Sequence, residues 1–419
     1  MTSPTTAFLD TWIDAHFAME TELLAAMVRV PTDNPPGDCA GHAEVAARAL
    51  RTLGLDVKAY PLPEAVVKAA GMISATNLLV RVDFGPGPCI ALNAHGDVVP
   101  PGLGWTQDPY GAAIVKDAQR GAVMYGRGVA VSKSDFATYT YALLALQALA
   151  AQGTKLAGSV ELHLTYDEET GGDIGPRWLL EQGLTKPDYA IGAGFSYAVT
   201  TAHNGCLHLE VTVRGRQGHA AMPETGVDAL AATTRLLTEL YASRDAMKSI
   251  RSATSGITSP TLNVGLIEGG INTNVVPDRI TFRIDRRIIP EENPATAEAD
   301  LRALLERAAA ALPGITIEIR RILLALPLVK LPGAEKLTAA LQKHGAAQFG
   351  TAIAEHGVPL YTDARHYTEA GVPTVLYGAG PRTLKEASGH AADENLRLED
   401  LRLATRTVAA TVAELLGAS

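Results

Sequence analysis

Hydrophobic and polar positions along the 419-residue chain follow two periods in turn, one helical and one strand-like. From Phe8 to Val28 apolar residues recur at helical spacing, behind a Ser- and Thr-rich start that can cap a helix. Strand-like apolar runs follow at 77–84, 89–94 and 159–166. Helical periods separate these runs, so this part of the chain predicts an α/β architecture with a mostly parallel sheet.

The pattern changes near His203. LHLEVTVRG alternates as an edge-type strand does, and the β-rich runs TLNVGLI, ITFRIDRR and ITIEIRR follow, with helical periods at 227–241 and 294–312. After Leu324 the first pattern returns. We therefore expect residues 203–322 to form a smaller α+β domain, inserted into a larger domain made of 1–202 and 323–419.

Composition argues against several classes of function. A formal net charge of −9 disfavours a surface for nucleic acid or anionic membranes, because phosphate partners need clustered Lys and Arg. Cys39, Cys89 and Cys206 form no CxxC pair, which fits a reducing compartment and neither a disulfide framework nor a Cys-ligated zinc. The start of the sequence has no signal-peptide pattern, and no run of about 18 apolar residues occurs. We expect a cytoplasmic protein without a membrane span.

Two polar motifs lie at the ends of predicted strands, where open α/β sheets place their ligands. In the motif HGD, His95 and Asp97 are two residues apart and so share one face of an extended chain. A carboxylate in that place can hold the second ring nitrogen of a metal-bound imidazole. The motif DEE at 167–169 crowds carboxylates that need protons or cations to neutralise them. One carboxylate can bind a metal while its neighbour takes a proton from water.

Taken singly, each motif has a simpler interpretation as a hydrogen-bonded or solvated turn. Together the motifs resemble the M20 family of metallohydrolases, which includes aminoacylases, glutamate carboxypeptidases and succinyl-diaminopimelate desuccinylases. The segments occur in family order over nearly the whole chain: NAHGDVVP, WTQDPYGA, YGRG, TYDEETGG, RGRQGHAA, GGINTNVVPD, IDRR, YTDARHY and HAADE. The resemblance implies a catalytic domain split around an inserted dimerisation domain, the lid, and hence a homodimer or larger homo-oligomer.

The resemblance also implies roles for residues of the larger domain. His95 matches a ligand of one metal ion, with Asp97 as the carboxylate that supports it. Glu168 matches the general base that activates the hydrolytic water. Glu169 and His390 match ligands of a second metal ion.

Three residues of the inserted domain match family positions as well. His219, in GRQGHAA, resembles the lid histidine that reaches a neighbouring subunit's site and stabilises an oxyanion. Asn274 and Arg287 resemble lid residues that hold the substrate or its carboxylate. The implied partner is therefore a small molecule that bears a carboxylate.

Two ligand positions depart from the family pattern. Val131 stands where an aspartate bridges the two metals, with the preceding GRG and the following Lys133 in register around it. Gly194 stands where Glu or Asp binds the second metal. Neither side chain offers a donor atom, and Asp135, four residues after Val131, could replace the bridge only after a local rearrangement.

The remaining ligands are His95, Glu169 and His390. Two histidines and one glutamate are a complete set for a single catalytic zinc with an open position. A pair of ions about 3.5–4 Å apart would need a bridging anion. We therefore predict one divalent transition metal per chain, manganese or zinc, held weakly because a carboxylate is missing.

The leading hypothesis is metal-assisted hydrolysis of a carbon–nitrogen bond, of the amide or N-acyl amino acid type, with Glu168 as base and His219 stabilising negative charge. Three alternatives stay open. The altered ligands permit hydrolytic deamination of an activated aromatic amine, as in the nitroanthranilate aminohydrolase of this family. They also permit a metal-free binding protein or pseudoenzyme on the same scaffold. Catalysis without metal, by Glu168 and His219 as acid and base, is the third.

Overall fold

The structure is a computed structural model that describes residues 3–418. Within that range the chain forms two compact units. Unit 1 comprises 3–201, 330–356 and 362–418, and unit 2 comprises Ala202–Val329 and Gly357–Tyr361. The sequence pattern had left 357–361 in the larger domain. These residues join unit 2 because the Gly357 N–H donates to the carbonyl of Ser255 at 2.7 Å, and Val358 accepts from Asn204 at 3.2 Å.

Helices were the more accurately predicted elements. The first begins four residues before Phe8, because Pro4 suits a first helical position and the Ser3 hydroxyl caps the N–H of Thr6. Within the described part of the chain, none of the helices combines the length and the apolar character that crossing a bilayer requires. The α-helices are α1 Pro4–Val28, α2 Ala40–Thr52, α3 Glu64–Ala69, α4 Lys133–Ala151, α5 Pro176–Glu181, α6 Ala229–Met247, α7 Pro294–Ala310, α8 Ala334–Phe349, α9 Ala364–Glu369 and α10 Leu398–Leu415.

Strands account for most of the elements that the sequence pattern missed. The strands are β1 Val57–Pro61, β2 Thr76–Gly85, β3 Cys89–His95, β4 Ala113–Asp117, β5 Gly121–Tyr125, β6 Gly158–Thr165, β7 Tyr189–Gly192, β8 Ala198–His203, β9 Gly205–Arg214, β10 Gly218–His219, β11 Thr261–Gly269, β12 Val275–Val276, β13 Arg279–Ile288, β14 Thr316–Ala325, β15 Ala354–Val358, β16 Thr374–Leu376 and β17 Asn395–Arg397. Short 3₁₀ turns occupy Glu168–Thr170 and Pro223–Thr225.

The main sheet of unit 1 has eight strands in the order β1–β2–β6–β3–β7–β16–β8–β15. Its central strands β6, β3, β7 and β16 are parallel, and β1, β2 and β8 pair antiparallel. The predicted α/β architecture with a mostly parallel sheet is confirmed. Strands β3 and β6 are buried along their whole length, as expected for a sheet covered on both faces. Because β3 and β6 are parallel, their carboxyl ends lie at the same edge of the sheet.

The four-stranded sheet of unit 2, β11–β13–β9–β14, is antiparallel throughout. One face carries the apolar side chains of β9 and β13 into a core with α6 and α7, including Val211 and Phe282. The prediction that LHLEVTVRG is an edge strand is wrong, because β9 lies between β13 and β14. Its alternation comes from having one face under helices and the other face polar.

A buried ion pair lies in the middle of β6. Oε2 of Glu161 accepts a hydrogen bond from Nε2 of His163 at 2.8 Å, and Oε1 accepts from Arg81 at 3.0 Å. The Thr185 hydroxyl also donates to Glu161. Burial alone would raise the pKa of Glu161, but the donors, His163 first, lower it to about 2.

We expect Glu161→Gln to lower the free energy of unfolding by about 3 kcal/mol at pH 7. The folded pKa of about 2 lies below the ordinary value of 4.5, so the stabilisation is complete above pH 4.5 and is lost as the pH falls towards 2. The difference in the free energy of unfolding between wild type and Glu161→Gln should therefore become smaller as the pH falls from 4.5 towards 2. Urea denaturation at pH 7 and at pH 3 measures this difference, with the exposed Glu44→Gln as control. An equal gap at both pH values would contradict this account.

Candidate active site

The candidate site lies at the edge of the unit 1 sheet where β3 and β6 end. His95, the last residue of β3, is paired in register with Thr165 of β6, and the N–H of Gly96 donates to the Thr165 carbonyl at 2.8 Å. A Cβ at Gly96 would lie 2.5 Å from the ring of Tyr166, so glycine alone fits here. The strand ends thus bring the motifs HGD and DEE side by side.

Asp97 is fully buried and connects the two motifs. Its carboxylate accepts hydrogen bonds from Nδ2 of Asn34 at 2.9 Å and from the backbone N–H groups of Glu169 at 3.1 Å and Glu168 at 3.3 Å. Nδ1 of His95 donates to the carbonyl of Asp97 at 2.9 Å, and Oδ1 of Asp97 lies 3.3 Å from the same nitrogen. Because a carbonyl only accepts, Nδ1 carries a proton, and Nε2 is the ring nitrogen that can face a metal ion.

Four potential metal ligands converge beside Asp97. Donor atoms of His95, Glu168 and Glu169 all lie within 4.8 Å of one another, with Nε2 of His95 3.8 Å from Oε2 of Glu168. Nε2 of His390 lies 3.6 Å from Oε1 of Glu169. The structure therefore brings together all five residues that the sequence singled out in the larger domain.

His390 sits on a backbone with a sparsely populated conformation. Its φ is 62°, and Ser388 and Asp393 also have positive φ. Such conformations cost energy and cluster at functional sites. Burial, together with Arg127 and His95, lowers the pKa of His390, which favours the neutral imidazole that a metal requires.

The carboxylates of the site are crowded. Burial and the neighbouring Glu169 raise the pKa of Glu168 well above its ordinary range, and burial and Asp97 raise that of Glu169 to about 7. Burial lowers the pKa of His95, but Glu168 and Asp97 outweigh it and the pKa is raised well above its ordinary value. Since a divalent cation would relieve this excess of negative charge, the residues fit a metal ion.

Asp135 lies in the first turn of α4 and is buried. Its Oδ1 accepts the N–H of Ala379 at 2.8 Å. Burial raises the pKa of Asp135 to about 7, although the N–H groups of Ala379 and Gly194 act to lower it. Within residues 3–418 its Oδ2 has no hydrogen-bond partner. A Cβ at Gly378 would lie 1.6 Å from Oδ1. Gly378 therefore leaves room for this carboxylate.

Two acidic residues that follow His390, Asp393 and Glu394, make long-range contacts that the sequence did not reveal. Asp393 accepts the backbone N–H groups of 106–107 at 2.8 and 3.2 Å. Glu394 is buried and accepts Nη1 of Arg127 at 2.6 Å. The spacing of both acids from His390 in HAADE could be read from the sequence. Their partners could not, because they lie more than 260 positions away.

Residues of the motif YTDARHY hold the backbone that directly follows the motif DEE. Nη2 of Arg365 and Nε2 of His366 both donate to the carbonyl of Gly171, the latter at 3.1 Å. Asp363 is buried, and burial with the nearby Asp97 raises its pKa to about 7. Its Oδ1 lacks a hydrogen-bond partner in the described chain, which adds a second unsatisfied carboxylate oxygen.

The lid residues predicted from the resemblance belong to unit 2. His219 pairs with Val275 in the short ladder of β10 and β12, which puts it next to Asn274 in the fold. Arg287, on β13, donates Nε and Nη2 to the two carboxylate oxygens of Asp285 at 2.9 and 3.0 Å. Roles of these three residues toward a substrate stay predictions.

The chain is similar to known proteins of one family over most of its length. Residues 91–414 match the model of peptidase family M20/M25/M40. A succinyl-diaminopimelate desuccinylase of Gluconacetobacter diazotrophicus is 28% identical over 403 residues, 93% of this chain and 95% of that protein. An acetylornithine deacetylase of Myxococcus xanthus is 28% identical over 346 residues, 81% of this chain and 84% of that one. An M20 family metallo-carboxypeptidase of Sulfolobus solfataricus has the same fold, with a TM-score of 0.75 at 16% identity over 94% of this chain and 99% of that one.

We expect Asn34→Ala to weaken the binding of Mn²⁺ or Zn²⁺ at least about tenfold, because partners behind a ligand set its orientation. Isothermal titration of the metal-free protein measures the affinity. Asn77→Ala is the matched control, since Asn77 is also buried but donates to the carbonyl of Ile174. An equal loss of affinity in both variants would show that general destabilisation is the cause and would exclude the role of Asn34.

Proposed function

Because this chain belongs to peptidase family M20/M25/M40 and is therefore a metallohydrolase that acts on carbon–nitrogen bonds, we propose that it hydrolyses the amide bond of a small N-acyl amino acid or peptide. The observation that carries the proposal is the convergence of His95, Glu168 and Glu169 within 4.8 Å, with His390 3.6 Å from Glu169. An imidazole and carboxylates in a buried cluster are the groups that metal-assisted hydrolysis needs.

The proposed cofactor is one divalent ion per chain, manganese or zinc, weakly held by His95, Glu169 and His390. Two histidines and a glutamate form such a site with an open position. When bound, the ion supplies Lewis-acid polarisation of the acceptor and lowers the pKa of a water molecule. The absence of donor atoms at Val131 and Gly194 supports one ion and a low affinity.

The residues of the chain then have separate roles in catalysis. Glu168 takes a proton from the attacking water and passes it to the leaving nitrogen, as a base and then an acid. Its place beside His95 is supported by the bond of its N–H to Asp97. Asp97 in turn keeps the proton of His95 on Nδ1 through its carbonyl.

The lid residues complete the proposal. His219 would stabilise the negative charge that develops on the acceptor oxygen. Asn274 and Arg287 would hold the carboxylate of the substrate. The guanidinium of Arg287 already makes a two-pronged bond with a carboxylate, that of Asp285, which is the geometry a substrate carboxylate would need.

Names of the relatives support the substrate class. A desuccinylase of succinyl-diaminopimelate and a deacetylase of acetylornithine act on acylated amino acids, which bear carboxylates. We therefore propose a small carboxylate-bearing amide as the substrate. The altered positions Val131 and Gly194 favour one second candidate, the hydrolytic deamination of an activated aromatic amine such as a nitroanthranilate.

A cytoplasmic location and a homo-oligomer formed through unit 2 are also part of the proposal. The three cysteines are buried and form no disulfide bonds, which suits a reducing compartment. The oligomer rests on the resemblance of the lid motifs to those of the family. Light scattering of the purified protein tests it, and a monomer at all concentrations would exclude it.

We expect wild-type protein loaded with Mn²⁺ or Zn²⁺ to retain about one ion per chain by mass spectrometry and Glu169→Ala to retain none, since the variant loses a ligand oxygen. The exposed Glu44→Ala should match wild type. Two ions per chain would contradict the single-metal proposal and assign a further ligand, for which Asp135 is the candidate. No ion under any loading, with substrates present, would leave a binding protein or metal-free chemistry.

We expect Glu168→Ala to lose at least about 100-fold in kcat while keeping its metal, because proton transfer is lost and the ligands are intact. The rate of amine release from acetyl and succinyl amino acids and dipeptides measures this, and ammonia release from a nitroanthranilate tests the second candidate. Exposed Glu44→Ala serves again as control. Full activity of Glu168→Ala would exclude this residue as the base, and wild-type activity that survives exhaustive chelation would favour catalysis without metal.

A further inference from the structure

A second group of metal-binding side chains lies on the polar face of the unit 2 sheet. Cys206 and His208 are two residues apart on β9 and so share the face opposite the helices. On β13, Asp285 is paired in register with His208, and Arg287 is paired with Cys206. The sheet register therefore places a thiol, an imidazole and a carboxylate next to one another.

One donor atom from each of the three side chains lies within 4.8 Å of the other two. Sγ of Cys206 lies 3.2 Å from Nε2 of His208, and the same nitrogen lies 3.2 Å from Oδ2 of Asp285. Sγ is 3.9 Å from Oδ1 of Asp285. In tetrahedral zinc sites, with Zn–S about 2.3 Å and Zn–N and Zn–O about 2.0 Å, ligand atoms are roughly 3.3–3.6 Å apart. Shifts of a few tenths of an ångström would thus accommodate an ion.

The surroundings of the three side chains also suit a metal ion that keeps one coordination position open for water. Cys206 is fully buried, whereas the side chains of His208 and Asp285 are 34% and 32% exposed. Solvent can therefore reach the cluster from the imidazole and carboxylate side. Three protein ligands plus water would complete four-coordination.

Charge balance favours a divalent cation over a monovalent one. Without metal, the carboxylate of Asp285 is matched by the guanidinium of Arg287. Binding replaces the thiol proton: the S–H bond breaks, the S–metal bond forms and one proton goes to solvent. The two charges of the ion then match the thiolate and the carboxylate. Arg287 remains hydrogen-bonded to Asp285 from behind, as outer partners of ligating carboxylates are.

We propose that Cys206, His208 and Asp285 form a binding site for a thiophilic divalent cation, Zn²⁺ in the first place, which does not depend on the proposed hydrolase activity. A thiolate selects Zn²⁺, Co²⁺ or Cd²⁺ over Mg²⁺ and Mn²⁺, so the site differs in selectivity from the oxygen-rich candidate active site. The spacing of the cysteines predicted no Cys-ligated zinc, because no CxxC pair occurs. Here the third ligand comes from another strand, 77 positions from His208.

The test is a Co²⁺ titration of the metal-free, reduced full-length protein. A thiolate bound to Co²⁺ gives a charge-transfer absorption in the near ultraviolet, which ligands such as His95, Glu169 and His390 cannot produce. We expect this band in wild type and in Glu169→Ala, and its disappearance when Zn²⁺ is added. The charge-transfer band therefore tests this site even if the proposed hydrolase function is wrong.

Variants assign the band to the cluster. Cys206→Ser should abolish it, and Asp285→Asn should weaken Co²⁺ binding at least about tenfold. Cys89→Ser, which alters a buried cysteine of unit 1, should leave it unchanged. Circular dichroism checks the folding of each variant, and His208→Ala is a second test should Cys206→Ser fail to fold. A wild type without the band, or a band that persists in folded Cys206→Ser or His208→Ala, would overturn the proposal.

Discussion

The buried carboxylate of Asp97 is the group on which the candidate active site depends. It accepts the side-chain amide of Asn34 and the N–H groups of Glu168 and Glu169, and it lies against Nδ1 of His95. One anion thereby joins the ends of two neighbouring strands and the chain near residue 34. Because an unpaired buried charge is expensive, these donors have to stay in place, and the imidazole and the acidic turn stay in place with them.

A buried carboxylate, that of Asp135, lies near one of the two positions where the family resemblance led us to expect a ligand. Burial raises the pKa of Asp135 to about 7, the N–H of Gly194 acts against this rise, and Gly378 leaves room for the side chain. A larger residue at 378 would collide with the carboxylate of Asp135. Although Val131 and Gly194 lack side-chain donor atoms, α4 thus contributes a buried carboxylate whose Oδ2 has no hydrogen-bond partner within residues 3–418.

The parts of the fold that could be predicted are those with long apolar periods. Strands β3 and β6 and helix α4 were clear because they are buried along their length, whereas β4 and β15 are short and partly exposed and gave no signal. In the site, His95 and Asp97 are near neighbours in sequence and could be found together. The contact of Asp97 with Asn34 spans 63 positions, and that of His208 with Asp285 spans 77. Such contacts depend on sheet register and loop closure, which no local pattern encodes.

Several carboxylates outside the candidate active site, although not the buried Glu20, have protein cations of their own, and this contrast supports a metal in the candidate active site. Glu161 has Arg81 and Glu394 has Arg127. In unit 2, Asp285 has Arg287, and Glu298 has two arginines. The candidate active site instead gathers several carboxylates around His95, and the pKa values of Glu168, Glu169 and Asp363 are all raised. A cluster that is stable only with added protons or an added cation is suited to bind a metal ion reversibly and to exchange protons with a substrate.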